Sequence, residues 1–338
     1  MLNLKTMTRV PYDDRHNAFT DLAFWKGHWF LAFRTGKRHA SPDGKIALLR
    51  SPNLESWTEA KVFSTDADDR DPKLLATPER LFVYHFARKK DKGQELKTPL
   101  MHWTEDGDSW SGPDMAFKEN WVQWRPRLGP DRAYYAAFHT VPLPGRLRQV
   151  ALFRSADGFA WEEVSPIWSS YNANETAVEF AADGELVALV RGAEGVRNMP
   201  SEKAVLAFSR PPYVSWEYED SGISAGGPAL ANLGGTVYAA ARKFRWSPRG
   251  ERLPSVTTLY LLRCRILHEF LTLPSGGDCS YAALAETGDG DVAISYYSSH
   301  EGRTSAYVAR LGLLPRNEGH TRLAVRGHED EVDANMLY

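Results

Sequence analysis

Three arginines stand at one register of a repeated apolar strand. They are Arg34 in Trp29-Phe-Leu-Ala-Phe-Arg34, Arg191 in Leu186-Val-Ala-Leu-Val-Arg191 and Arg242 in Val237-Tyr-Ala-Ala-Ala-Arg242. A guanidinium keeps its charge at every working pH, and its planar fork matches a carboxylate or sulfate bidentately. Several brought together need acidic neighbours or an anionic ligand to balance them. Polar residues recur at the starts of the preceding strands: His16-Asn17, Asp69-Arg70-Asp71, Trp124-Arg125, Asn174-Glu175 and Asp278-Cys-Ser-Tyr281. At the second-strand ends, Arg88, His139 and Tyr297 accompany the three arginines. Asp69, Asp71, Glu175 and Asp278 are able to compensate the arginines, and an ion-pair role between strands stays open for any one of them. Read alone, these residues point to a small anionic ligand and not yet to a reaction.

The elements that carry them repeat. Four segments join a small hydroxyl residue to turn residues and a Trp: Ser51-Pro-Asn-Leu-Glu-Ser-Trp57, Thr104-Glu-Asp-Gly-Asp-Ser-Trp110, Ser155-Ala-Asp-Gly-Phe-Ala-Trp161 and Ser209-Arg-Pro-Pro-Tyr-Val-Ser-Trp216. Their tryptophans are 53, 51 and 55 residues apart. Asp-Gly favours a tight turn because its backbone tolerates positive φ. Six continuous apolar strands follow the same period: 29–34, 81–86, 134–139, 186–191, 237–242 and 292–297. Continuous runs suit strands covered on both faces. A period of this length is the mark of a β-propeller, whereas β-sandwiches do not repeat this way. The expected fold is all-β, a six-bladed propeller over residues 1–314, with a polar tail or closing strap at 315–338. Eleven Trp, 14 Tyr, 15 Phe, 26 Gly and 20 Pro agree with many short strands and tight turns. In each blade the first and second strands form a hairpin, so strand-one starts and strand-two ends share one rim of the central channel. The Trp turns fall on the other.

The net charge of −2 gives no reason to expect a nucleic-acid partner or an attraction to anionic membranes. No apolar h-region opens the chain and no run of 18 apolar residues occurs, so a cytoplasmic protein without a membrane span is the default expectation. Cys264 and Cys279 match no zinc motif and read as free thiols. No cofactor and no metal is expected.

These residues resemble the sialidase (neuraminidase) superfamily, which has six-bladed propellers with Trp-containing BNR or Asp-box turns. The repeat resemblance covers roughly residues 12–312. Its site resemblance rests on Asn174-Glu175-Thr-Ala-Val-Glu-Phe with Asp183-Gly-Glu-Leu-Val-Ala-Leu-Val-Arg191, and on Asp278-Cys-Ser-Tyr281-Ala-Ala-Leu with Gly290-Asp-Val-Ala-Ile-Ser-Tyr-Tyr297. The resemblance implies an exo-acting glycoside hydrolase that releases a terminal acidic sugar, sialic acid first, from a glycan. Tyr281 would be the nucleophile, Glu175 its base and Arg191 a ligand clamp. A phenol suits this chemistry, because a carboxylate nucleophile would be repelled by the carboxylate on the sialic acid anomeric carbon. The family's first-blade Arg-Ile-Pro is absent: the matching stretch is His16-Asn17-Ala-Phe-Thr-Asp21, and Arg34 is the substitute across the hairpin. In the loop Thr35-Gly-Lys-Arg-His39-Ala-Ser-Pro-Asp43-Gly, the family's acid/base position falls between His39 and Asp43, and either is able to serve. Arg242 is assigned as a third arginine by repeat register, and Arg125, Asp71, Tyr297, His300 and Glu301 complete the expected substrate contacts.

Two other readings keep the propeller. One is a glycosidase on another sugar, or a lyase on uronic polymers with Tyr or a His (His16, His139 or His300) as base. The other is a non-catalytic carbohydrate-binding propeller in which Trp121 and Trp124 stack on sugars.

Overall fold

The computed structural model describes residues 2–91, 94–142, 145–192 and 203–313. They form six antiparallel sheets around one axis, and the described residues contain no helix. Blades 1 to 5 follow the chain at 16–63, 68–115, 121–170, 176–220 and 226–272. Their inner strands begin at His16–Trp25, Asp68–Ala76, Trp121–Gln123, Thr176–Phe180 and Gly226–Leu233. Blade 6 starts with Ser280–Glu286, continues through Val292–Ser298 and Ser305–Leu313, and takes its outermost strand from the N-terminus, Leu2–Arg9. Closure of the ring is therefore made by the first strand of the chain, paired antiparallel with Ser305–Leu313. The expected tail or strap at 315–338 lies outside the described residues.

The continuous apolar second strands have the explanation expected of them. Six buried clusters lie between neighbouring blades, so each sheet is covered on both faces. Between blades 1 and 2, for example, Trp25, Phe30 and Leu48 meet Leu74, Leu81 and Val83. Trp57, Trp110, Trp161 and Trp216 each pack into or against a different one of these clusters. Their turns are held by side-chain hydrogen bonds. Thr104 Oγ1 accepts from Gly107 N at 2.9 Å, and Asp106 Oδ1 accepts from Ser109 N at 2.7 Å. The same pattern recurs at Ser155 and Asp157 and at Ser51 and Asn53. The fourth turn differs: Ser209 donates to Ser215 O, and Tyr213 enters the core of blades 3 and 4.

Four inner strands share a bulge at matching positions. The pairing slips between Ala18 and Asp21, Arg70 and Lys73, Gly226 and Ala229, and Ser280 and Ala283. The residue that enters each bulge has positive φ: Phe19 at 62°, Asp71 at 53°, Gly227 at 58° and Tyr281 at 51°. A bulge inserts an extra residue and re-aims its side chain. Three of the four thus carry Phe19, Asp71 and Tyr281 at the channel mouth. For residues with a Cβ this backbone is strained, and such strain tends to gather at functional sites.

Candidate active site

Tyr281 stands at the centre. Its hydroxyl donates to Glu175 Oε1 at 2.5 Å. The other carboxylate oxygen, Oε2, accepts from Arg191 at 2.7 Å and from the backbone N–H of Gly227 at 2.7 Å. Three blades therefore fix one carboxylate. Gly227 must be glycine here: a Cβ would stand 2.5 Å from the Tyr281 ring, on backbone of φ 58°. Burial alone would push the Glu175 carboxyl up. The Arg191 charge, with hydrogen bonds from Tyr281, Arg191 and Gly227, outweighs it and holds the group at about 2. Desolvation and the Asp71 and Glu175 charges push the Tyr281 phenol well above its ordinary value. At neutral pH the pair is a phenol hydrogen-bonded to a carboxylate. Such a phenol becomes nucleophilic only as its proton passes to Glu175, in step with attack.

A second network lies beside it. Arg242 donates to Cys279 O at 2.7 Å and to the Tyr297 hydroxyl at 2.8 Å, and its guanidinium is 3.6 Å from Asp278 Oδ1. Tyr297 in turn donates to Asp278 Oδ1 at 2.9 Å. The other oxygen of Asp278 meets two imidazoles, His16 Nε2 at 2.9 Å and His39 Nδ1 at 2.6 Å. Burial would raise the Asp278 carboxyl, but these hydrogen bonds, with the His39 and Arg242 charges, hold it well below the usual carboxylate range. The ligand atoms of His16, His39 and Asp278 lie within 4.8 Å of one another, the one such group among the described residues with metal-ligand composition. Both nitrogens already sit at hydrogen-bonding distance from one oxygen, and Arg242 adds positive charge, so the arrangement suits oriented imidazoles better than an ion.

The expected site residues separate into three groups. Glu175, Tyr281, Arg191, Arg242, Tyr297 and His39 share the mouth. The His39 ring is 5.1 Å from Phe19, which is 4.9 Å from Tyr281. Asp71 reaches the same region through its bulge, where Arg70 Nε is 4.0 Å from its carboxylate. Asp43 is tied to Arg15 and accepts from Lys37 N at 3.4 Å.

The remaining four expected contacts are turned away from the mouth. Arg34 is fully buried: it donates to Asp68 at 2.7 Å, to Arg38 O at 2.8 Å and to Ser41 O at 3.2 Å. The expectation that Arg34 replaces the missing first-blade arginine is corrected by this geometry, because the 37–44 loop folds over the guanidinium and uses its donors. Arg125 is likewise buried, clamped by Asp21 at 2.6 Å and donating to Ala282 O at 3.1 Å, so it ties blades 3, 1 and 6 together inside the channel. His300 bonds Ser298 Oγ at 2.9 Å and packs on Tyr307, and Glu301 faces Arg9 at 3.4 Å, which places both toward the outer strands of blade 6. Trp124 is 1% exposed and donates to Pro228 O at 2.9 Å, so it floors the site and offers no open stacking face. His139 is buried and pushed down to about 3 by desolvation, and so stays neutral.

Sequence reasoning assigned no site role to Arg70, Lys73 or Phe19. Arg70 donates to His39 O at 2.7 Å and to Asp68 at 3.1 Å, and its guanidinium lies 4.7 Å from the Phe19 ring. The available signals were the arginine inside Asp69-Arg70-Asp71 and a lysine directly before the apolar run Leu74-Leu-Ala.

No family model matches the chain, and no curated protein is similar to it in sequence. Solved structures are similar in fold. A Dyadobacter fermentans protein of unknown function aligns with TM-score 0.75 at 18% identity, covering 93% of this chain and 99% of that one. The Trypanosoma rangeli sialidase aligns with TM-score 0.66 at 12% identity, over 88% of this chain and 55% of that one. A GH93 α-L-arabinofuranosidase of Fusarium graminearum aligns with TM-score 0.66 at 11% identity, over 91% and 97%. The chain is a six-bladed β-propeller of the type seen in these two glycosidases, and identities this low establish the fold alone.

Proposed function

We propose that the protein is a retaining, exo-acting glycoside hydrolase in which Tyr281 is the nucleophile and Glu175 its base. The observation that carries this reading is the 2.5 Å hydrogen bond between them, on a carboxylate fixed by Arg191 and Gly227. In the first step the phenol oxygen bonds the anomeric carbon and its proton passes to Glu175. The glycosidic C–O bond breaks, its electron pair stays on the departing oxygen, and the acid/base residue gives that oxygen a proton. In the second step the deprotonated acid/base residue takes a proton from the water that adds to the anomeric carbon, the C–O(Tyr281) bond breaks, and the phenolate takes back its proton from Glu175. His39 suits the acid/base role better than Asp43. Asp278 orients its Nδ1 and leaves Nε2 at the half-exposed end of the ring, whereas Asp43 is occupied by Arg15.

A terminal acidic sugar of the sialic acid type is the substrate we favour, since Arg191 and Arg242 flank the phenol from blades 4 and 5 and a tyrosine nucleophile avoids the sugar carboxylate. One observation favours a neutral sugar instead. Arg70, Arg191 and Arg242 each already face a carboxylate, and apolar Phe19 fills the blade 1 bulge. Fluorogenic sialosides and arabinofuranosides, assayed side by side, separate the two. On whichever is cleaved, Tyr281→Phe is expected to lose at least about a thousandfold in kcat while unfolding within about 1 kcal/mol of the parent. Parental turnover by that variant overturns the nucleophile assignment.

A further inference from the structure

Lys73 is a buried charge that the hydrolytic pair does not account for. Only 1% of it is exposed, at the inner end of the blade 2 bulge. Its ammonium donates to the backbone carbonyls of Asp71 at 3.3 Å and Pro72 at 3.1 Å. Two aromatic faces complete its surroundings, Trp124 at 4.2 Å and Tyr281 at 5.3 Å from Nζ to ring centroid. Both distances fall within the range of a cation–π contact, which is strongest where water is excluded.

We propose that Lys73 acts through the ring of Tyr281, stabilising the phenolate character this residue acquires when it attacks and when it departs. This role rests on the reading of Tyr281 as nucleophile. A neutral phenol offers the ammonium a modest quadrupole. As the hydroxyl proton moves to Glu175 Oε1 and the oxygen bonds carbon, negative charge spreads into the ring, and the attraction grows. The same holds in reverse when the C–O(Tyr281) bond breaks and its electron pair returns to the phenolate. An interaction stronger in the transition state than in either ground state lowers the barrier of both steps. Arg191 and Glu175 act at the hydroxyl end; Lys73 covers the face.

The charge is present at neutral pH. Desolvation pushes the Lys73 ammonium down to about 8, against the pull of Asp71, Asp21 and Glu175, with Arg125 adding to the lowering. These groups face it from blades 2, 1, 4 and 3, and Tyr281 faces it from blade 6.

The test uses the full chain with a fluorinated glycoside of the cleaved sugar, which lets the glycosyl–Tyr281 adduct accumulate and be timed by intact-mass spectrometry. Lys73→Met is expected to slow both formation and decay of the adduct by about tenfold or more, with KM changing less than about threefold. Lys73→Arg should restore most of the rate and remove the fall in kcat expected of the parent above pH about 8. Parental adduct kinetics in a folded Lys73→Met variant overturn the proposal. If that variant does not fold, an alkaline limb unchanged in Lys73→Arg overturns it equally. Absence of any Tyr281 adduct in the parent is a different failure: it removes the nucleophile reading itself, and this role with it.

Discussion

Arg34 and Arg242 occupy matching places in blades 1 and 5. Each nears the inner end of a second strand and pairs across the hairpin with the residue before a bulge, Ala18 and Gly226 respectively. Their fates diverge. Arg34 is sealed under the 37–44 loop against Asp68, so tightly that a Cβ on Gly36 would stand 2.8 Å from its guanidinium. Arg242 stays beside the mouth, sharing Asp278 with Tyr297 and two imidazoles. The contrast extends to whole sides of the channel. Blades 1 and 2 spend Arg34, Asp68 and Arg70 on one another. Blades 4 to 6 hold Glu175, Arg191, Arg242 and Asp278 around the Tyr281 phenol. Strand register assigns a residue to a rim; the loop that follows it decides whether a ligand can reach it.

The largest effect that could break this comparison is at the arginines themselves. Arg34→Met should destabilise folding by about 3 kcal/mol, because it strips a buried carboxylate of one partner, while leaving turnover per folded molecule near the parental value. Arg242→Met should do the reverse, unfolding close to the parent in denaturant but losing about a hundredfold in kcat/KM. Denaturant midpoints and active-site titration measured together decide it, and a folding loss at Arg242 equal to that at Arg34 would erase the distinction.

Acid sharpens it at a smaller scale. Desolvation pushes His85 down to about 3 and His102 to about 4, while desolvation pushes Asp69 up to about 6. Between about pH 6.5 and 4 the unfolded chain binds protons at both histidines that the folded chain refuses, so their contribution to stability falls as pH falls. Asp69 works the other way between about 6 and 3.8, because the folded state keeps a proton the unfolded state releases. His139, also held at about 3 by desolvation, adds to the two histidines, so together they outweigh Asp69 and stability should decline across this window. Glu175, held at about 2, stays ionised throughout. Acid inactivation should therefore track unfolding that begins on the blade 2 side, and His102→Phe should flatten the pH dependence of the thermal midpoint.

The smallest expected effect is at the candidate acids. His39→Asn should lower kcat most for poor leaving groups and less than about tenfold for activated aryl leaving groups, which need little protonation. Asp43→Asn should change neither by more than about twofold. The opposite ranking would return the acid role to Asp43.

Much of this molecule was legible in the chain. The Trp period of 53, 51 and 55 residues sets the blade length, and six copies of the apolar second strand at that period set the blade count. The rim holding Glu175, Arg191, Arg242 and Tyr281 followed from hairpin geometry, which is local. What the tertiary structure alone decided was non-local. Ring closure by Leu2–Arg9 depends on pairing with Ser305–Leu313, almost the full chain length away. The bulges that deliver Phe19, Asp71 and Tyr281 are properties of cross-strand register, which side-chain type does not encode. Arg34 and Arg242 present the same residue at the same register, and only the packing of a neighbouring loop and blade tells the sealed ion pair from the part-buried one beside the mouth. The pattern of residues names the rim, and the desolvation and partners found there, set by segments distant in sequence, determine which charges remain available to a ligand.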